Sequence, residues 1–152
     1  MTSYNVKFSD NFWSIVKSIP DTPLREVDHA IKTLEEEGYV VFDIVPYLAR
    51  LLHRKDFTNF AGYQCEFNIL HGLGHYDDLA PWMYHNGVDL FPLGTWKRET
   101  MHVGSDYSVY LSDAEGIMVW LVPGGLEVIE LLITGFDKKC IIAVPPALDE
   151  ID

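Results

Sequence analysis

The sequence predicts a single α+β domain in which two or three N-terminal helices pack on an antiparallel sheet that includes a C-terminal four-stranded meander. Apolar residues recur at helical spacing in the N-terminal part, whereas the C-terminal part contains strand-like runs separated by short turns. The length of 152 residues fits one compact domain, and 48% hydrophobic residues are enough for a core. No repeat or linker divides the chain, so we expect one domain over residues 1–152.

The first elements are predicted from alternation and from helix-capping residues. Residues 4–8 alternate between apolar and polar side chains, which predicts a strand. A helix follows, with Ser9 or Asp10 as its N-cap and Pro20 at its end.

Two further helices are predicted before the middle of the chain. The second has Thr22 as N-cap and Pro23 as its first helical residue, and Gly38 ends it. Residues 39–42 predict a short strand, and residues 46–54 predict the third helix.

The sheet is predicted mainly from the C-terminal part of the sequence. Residues 56–95 show little regularity apart from a strand at residues 63–70. The four runs that predict the meander are residues 96–103, 107–112, 117–122 and 126–134. The connections between them are short, and short connections force neighbouring strands to be antiparallel.

Three segments have apolar residues in a pattern typical of one protein family: residues 4–20, residues 30–38, and residues 131–139, which end in a lysine pair. In this order they resemble the first strand and helix, the end of the second helix, and the last strand of the RelE/ParE superfamily of toxin–antitoxin ribonucleases and gyrase poisons. The resemblance implies a related fold, RNA cleavage and a small cognate antitoxin. The chain departs from the family in its greater length and its acidity. Asn68 stands where the family has a functional arginine, and an amide supplies no fixed positive charge.

The catalytic candidates for such a ribonuclease lie on and beside the predicted strand 96–103. Trp96, Arg98 and His102 would share one face of that strand. Arg98 would stabilise a phosphate, His102 would move a proton, and Tyr107 or Tyr110 would join them from the next strand. The structural alternative is a solvated sheet face with no catalytic role.

A metal site is the second chemical hypothesis. His71 and His75 lie close to Asp77 and Asp78, and such side chains can bind zinc. The interleaved glycines disfavour the helix that would bring the two histidines together. A polar turn without a metal is therefore the prediction, and no cofactor is expected.

The only basic cluster of the N-terminal half contains Arg50, Arg54 and Lys55. Three charges are too few for a nucleic-acid footprint, so we expect them to form ion pairs. The predicted partners are Asp43, Asp56 and the glutamate run 35–37.

Charge limits the function classes more strongly than any motif. Twenty-three Asp and Glu against eleven Lys and Arg give a net charge of −12, which argues against direct binding to nucleic acid or to an anionic membrane.

No apolar stretch approaches about 18 residues, and the first residues do not resemble a signal peptide, so a cytoplasmic location is expected. Cys65 and Cys140 are predicted to be free core thiols.

Acidity and aromatic content together favour a binding protein. The leading hypothesis is an inhibitor of the immunity-protein or phage anti-CRISPR type, which occludes the active or nucleic-acid site of a basic nucleic-acid-handling partner. The predicted contact residues are Glu35, Glu36, Glu37, Asp77, Asp78, Trp82 and Tyr84. The alternative function is a divergent RelE-like toxin ribonuclease that uses Arg98, His102 and Tyr107. The structural alternative for the aromatic residues is that they fill the core.

Overall fold

The computed structural model describes residues 6–58, 64–113, 118–134 and 142–144. The helices in these ranges are α1 (Asp10–Lys17), α2 (Leu24–Glu37), α3 (Ile44–Leu52), α4 (Tyr76–Asn86) and α5 (Val128–Thr134). The strands are β1 (Lys55–Thr58), β2 (Gln64–Phe67), β3 (Leu90–Trp96), β4 (Glu99–Gly104), β5 (Val109–Ser112), β6 (Val119–Val122) and β7 (Ile142–Ala143). Short 3₁₀ turns lie at Ile69–Gly72 and Gly125–Glu127.

The seven strands form one antiparallel sheet in the order in which they occur in the sequence. The α+β class is therefore confirmed, with three helices before the sheet begins. Three of the four predicted C-terminal runs correspond to β4, β5 and β6. The sequence does not predict the strands β1, β3 and β7, so the meander is longer than the sequence indicates.

The fourth predicted strand, residues 126–134, is wrong because this segment is a 3₁₀ turn followed by α5. Its β-branched residues are typical of strands, but Val128, Ile129, Leu132 and Ile133 are buried at helical rather than alternate spacing. The Trp96 indole donates a hydrogen bond to the Leu132 carbonyl at 3.1 Å. The residues up to Thr134 in the RelE-like C-terminal segment are thus helical, and residues 135–139 lie outside the described ranges.

The N-terminal predictions are right for the helices and wrong for the strands. Ser9 is the N-cap of α1, and its hydroxyl accepts a hydrogen bond from the Phe12 amide. Residues 6–9 form no strand, and residues 4–5 lie outside the described ranges. Phe8 instead stacks on Phe12, with the ring centroids 3.8 Å apart.

The second helix starts one residue later than predicted. Pro23 is its N-cap, and the Thr22 hydroxyl is used elsewhere because it donates to the His53 carbonyl at 2.7 Å. Gly38 ends the helix as predicted, with φ at 136°. Residues 39–42 form no strand, and the Tyr39 side chain is buried in the core.

One cluster of buried apolar side chains joins all five helices to the sheet. The helix α4 contributes Leu79, Trp82 and Met83 to this core, although Pro81 lies inside the helix. A proline costs one helical hydrogen bond, and the burial of these neighbours offsets that cost. Cys65 is a buried free thiol, as predicted, and Cys140 lies outside the described ranges. Among the described residues, no helix has the length and apolar character needed to cross a membrane.

Candidate functional site

The end of α2 contacts the start of α4 through Glu37. Its carboxylate accepts hydrogen bonds from the Gly74 amide at 2.9 and 3.0 Å and from the Tyr76 amide at 3.1 Å. The Gly38 backbone packs so closely on the Tyr76 ring that a Cβ at this position would lie 2.7 Å from Cε2. Two acidic segments that are about forty residues apart in the sequence therefore lie side by side.

The exposed carboxylates at this contact are Glu35, Glu36, Asp77 and Asp78, and we call them the acidic surface. Asp77 and Asp78 lie in the first turn of α4, where the helix dipole favours negative charge. Glu35 and Glu36 lie in the last turn of α2, which contains no basic residue. Glu35 and Glu36 therefore interact unfavourably with the dipole of α2, and no contact among the described residues requires them there.

Tyr84 is the exposed aromatic residue nearest in sequence to these carboxylates. Its side chain is 86% exposed, and seven residues separate it from Asp77 on α4. A spacing of seven corresponds to two helical turns, so both residues lie on one face of the helix. The exposed face of α4 thus presents a carboxylate and an aromatic ring in line.

Two of the predicted contact residues have structural roles instead. Glu37 is engaged by backbone amides, as described above. Trp82 is only 2% exposed, its indole donates to the Val144 carbonyl at 2.5 Å, and its ring packs edge-on against Tyr110. Burial therefore removes Trp82 from the set of possible contacts, and this prediction is wrong. Phe57, Phe67 and Phe91 are also buried, so several aromatic residues of this region fill the core.

The three ribonuclease candidates do not form an exposed site. The predicted face is wrong, because Trp96 lies in β3 and Arg98 in the turn before β4. Tyr107 lies in the next turn and donates to Asp43 Oδ2 at 2.5 Å. His102 is only 1% exposed, and burial lowers its pKa to about 3, so the ring stays neutral.

Asn68, which the resemblance would place at a functional arginine, has a local structural role. Asn68 precedes the 3₁₀ turn at Ile69–Gly72, and its side-chain oxygen accepts a hydrogen bond from the Leu70 amide. This contact caps the turn, which is a common use of asparagine.

The histidines of the metal hypothesis form two separate pairs. His71 Nε2 lies 3.9 Å from a Glu66 carboxylate oxygen, and His75 Nδ1 lies 3.5 Å from Asp78 Oδ2. In the described part of the chain, no three side chains of metal-ligating type come together. The geometry therefore gives the metal hypothesis no support.

The basic cluster forms ion pairs, but with other acids than those predicted. Arg50 pairs with Asp28 at 3.3 Å and Arg54 pairs with Glu26 at 3.4 Å. These acids lie on α2, which packs beside α3. Lys55 is buried, and its Nζ lies 2.8 Å from Asp21 Oδ1.

Sequence reasoning did not detect that the two acidic segments meet. Their contact depends on a carboxylate that caps a turn in a distant segment, and such a contact leaves no periodic signal.

Comparison of the chain with protein-family models, curated proteins and solved structures finds no match.

Proposed function

We propose that the protein is an acidic inhibitor that binds a basic nucleic-acid-handling protein and occludes its nucleic-acid site, in the manner of an immunity protein or a phage anti-CRISPR protein. The observation that carries the proposal is the contact between the end of α2, where Glu35 and Glu36 are exposed, and the start of α4, where Asp77 and Asp78 are exposed. The net charge of −12 supports the same conclusion. A partner that binds phosphates offers the complementary charge.

The carboxylates and the tyrosine make different contributions. Each exposed ion pair contributes about 0.2–1 kcal/mol, so four carboxylates add modest affinity and mainly accelerate association. A buried aromatic anchor at an interface is worth about 2 kcal/mol or more. Tyr84 is therefore expected to contribute most of the affinity, and the acidic surface is expected to orient the two proteins during association.

The ribonuclease alternative has no comparable support. Its proton-transfer residue, His102, is buried and neutral, and its phosphate-binding residue, Arg98, lies on a turn. No exposed arrangement among the described residues unites the two with Tyr107.

The test of the proposal measures competition with nucleic acid. Proteins of the source cell that bind the immobilised chain at low salt are purified, and their binding to a fluorescent oligonucleotide is measured with and without the chain. We expect the chain to displace the oligonucleotide. The variant Asp77→Lys/Asp78→Lys should be at least tenfold less effective, because two attractive charges become repulsive.

The matched control is Asp10→Lys/Asp56→Lys, which reverses two exposed carboxylates outside the acidic surface. This variant has the same net charge and should lose less than twofold. Equal losses in both double variants would show that bulk charge alone acts. Undisturbed oligonucleotide binding in the presence of the chain would refute occlusion.

A further inference from the structure

A small crevice lies beside the acidic surface at the start of α4. Its volume is about 10 Å³, which is roughly the space that one water-sized group needs. The polar side chains that line it are His75, Asp78, Thr100, His102, Ser112 and Asp113. Asp78 belongs to both the crevice and the acidic surface, so the two are continuous.

His102 lines the crevice and has a buried ring nitrogen without a hydrogen-bond partner among the described residues. Its Nε2 lies 2.9 Å from the Ser112 hydroxyl oxygen, whereas its Nδ1 is buried and has no hydrogen-bond partner among the described residues. A neutral imidazole carries one proton, and with that proton on Nε2 the Nδ1 atom is an acceptor. A buried acceptor without a partner costs free energy, which a bound donor would recover.

The charge of the surroundings favours a cationic donor. The start of α4 contributes about half a positive charge through its helix dipole. The carboxylates of Glu37, Asp77 and Asp78 lie at the same helix end and outweigh it. The hydroxyl groups of Thr100 and Ser112 can orient their oxygen atoms towards a cation.

The size of the crevice selects among cations. An ammonium group is about as large as a water molecule and has three donors, whereas a guanidinium group is planar and larger. A lysine side chain can therefore place its charge beside Asp78 while its aliphatic stem stays outside.

We propose that this crevice accepts the side-chain ammonium group of a lysine of the partner, with Asp78 and His102 Nδ1 as acceptors. The inference rests on the proposed function for the source of the lysine, but the crevice and its acceptors do not depend on that function. The acidic surface then contains one site that selects by shape as well as by charge.

The test uses methylammonium chloride as the probe, with tetramethylammonium chloride as the control cation. Protein labelled with ¹⁵N-histidine is titrated with each salt, and the ring nitrogen signals of His102 are followed by NMR. We expect Nδ1 to be unprotonated in the free protein and to shift saturably with methylammonium alone. A protonated Nδ1, no saturable shift, or equal shifts with both cations would overturn the proposal.

Surface variants make the test independent of the stability of the core. Asp78→Asn removes the carboxylate of the crevice and should weaken methylammonium binding by about tenfold, as expected for a charge-assisted hydrogen bond. Asp77→Asn removes the neighbouring carboxylate, which does not line the crevice, and should change the affinity less than threefold. Equal effects of the two variants would refute the assignment of Asp78.

The result also separates this inference from the proposed function. Loss of competition in the Asp77→Lys/Asp78→Lys variant without methylammonium binding would leave the inhibitor proposal standing and remove the lysine site. Methylammonium binding without displacement of the partner's nucleic acid would support the lysine site and remove the inhibitor proposal.

Discussion

Lys55 has a fully buried ammonium group, and removing its carboxylate partner is the clearest test of the fold. The side chain is 1% exposed, and its Nζ donates to Asp21 Oδ1 at 2.8 Å and to the Val16 carbonyl at 3.1 Å. We predict that Asp21→Asn destabilises the protein, because a buried charge keeps only neutral acceptors.

The magnitude follows from the unequal burial of the two groups. A hydrogen bond to a charged group contributes about 1.5–3 kcal/mol. Asp21 is 59% exposed, so water screens the pair and the lower end of that range applies. We therefore expect a loss of about 1.5 kcal/mol in the free energy of unfolding, which corresponds to a fall of roughly 3–6 °C in Tm for a domain of this size.

The assay is urea unfolding of the wild type and the variant at pH 7, with Asp28→Asn as the control. Asp28 pairs with Arg50 at the surface, where both side chains are half exposed, so its loss should cost less than about 0.5 kcal/mol. If Asp21→Asn cost no more than this control, the reasoning from the buried ammonium group would be refuted.

The same pair predicts a dependence on pH. The Lys55 ammonium group lowers the pKa of Asp21 through a hydrogen bond and its charge. A carboxyl group whose pKa is lower in the folded state stabilises the fold above its unfolded pKa and loses this contribution as the pH falls through the folded value. The difference between wild type and Asp21→Asn should be full at pH 7 and should shrink below about pH 4.

Three further predictions concern a glycine, the proposed anchor and a cysteine. At the irregularity of β3, a Cβ on Gly94 would lie 1.9 Å from a carbonyl oxygen of β2, so Gly94→Ala should lower the free energy of unfolding in urea by about 3 kcal/mol or more. The control is Gly87→Ala, whose Cβ meets nothing within 4 Å and which should cost about 1–2 kcal/mol. Tyr84→Ala should change the unfolding free energy by less than about 0.5 kcal/mol but weaken displacement of the partner's oligonucleotide tenfold or more; unchanged displacement would remove Tyr84 as the anchor. Burial raises the pKa of Cys65, so in a Cys140→Ser background a thiol reagent should modify it only after unfolding, and reaction of the native protein would contradict its burial.

The helical part of the fold was predictable because its signals are local. Ser9 caps α1, and Gly38 ends α2 in a conformation that glycine adopts without strain. The stripe of Val27, Ile31 and Leu34 is buried as its spacing predicts. These features depend on a few consecutive residues, so the sequence alone was sufficient.

The errors occur where tertiary packing overrides a local signal. Pro81 disfavours a helix at α4, yet from this helix Trp82 packs against Tyr110 and donates to the Val144 carbonyl. Val128 and Ile129 favour a strand by propensity, yet both are buried as part of α5. In both segments the burial of apolar surface exceeds the propensity cost, which is about 3 kcal/mol for the proline of α4 and below about 1 kcal/mol for each β-branched residue of α5.

The candidate site illustrates the same limit for charge. Three consecutive glutamates suggest one docking feature, but Glu37 is held by backbone amides, whereas Glu35 and Glu36 are exposed. Glu37 holds the end of α2 against the start of α4, where the Gly38 backbone also packs closely on the Tyr76 ring. A count of charges treats the three glutamates alike, whereas the hydrogen bonds of Glu37 to the Gly74 and Tyr76 amides leave Glu35 and Glu36 as the exposed members of the run.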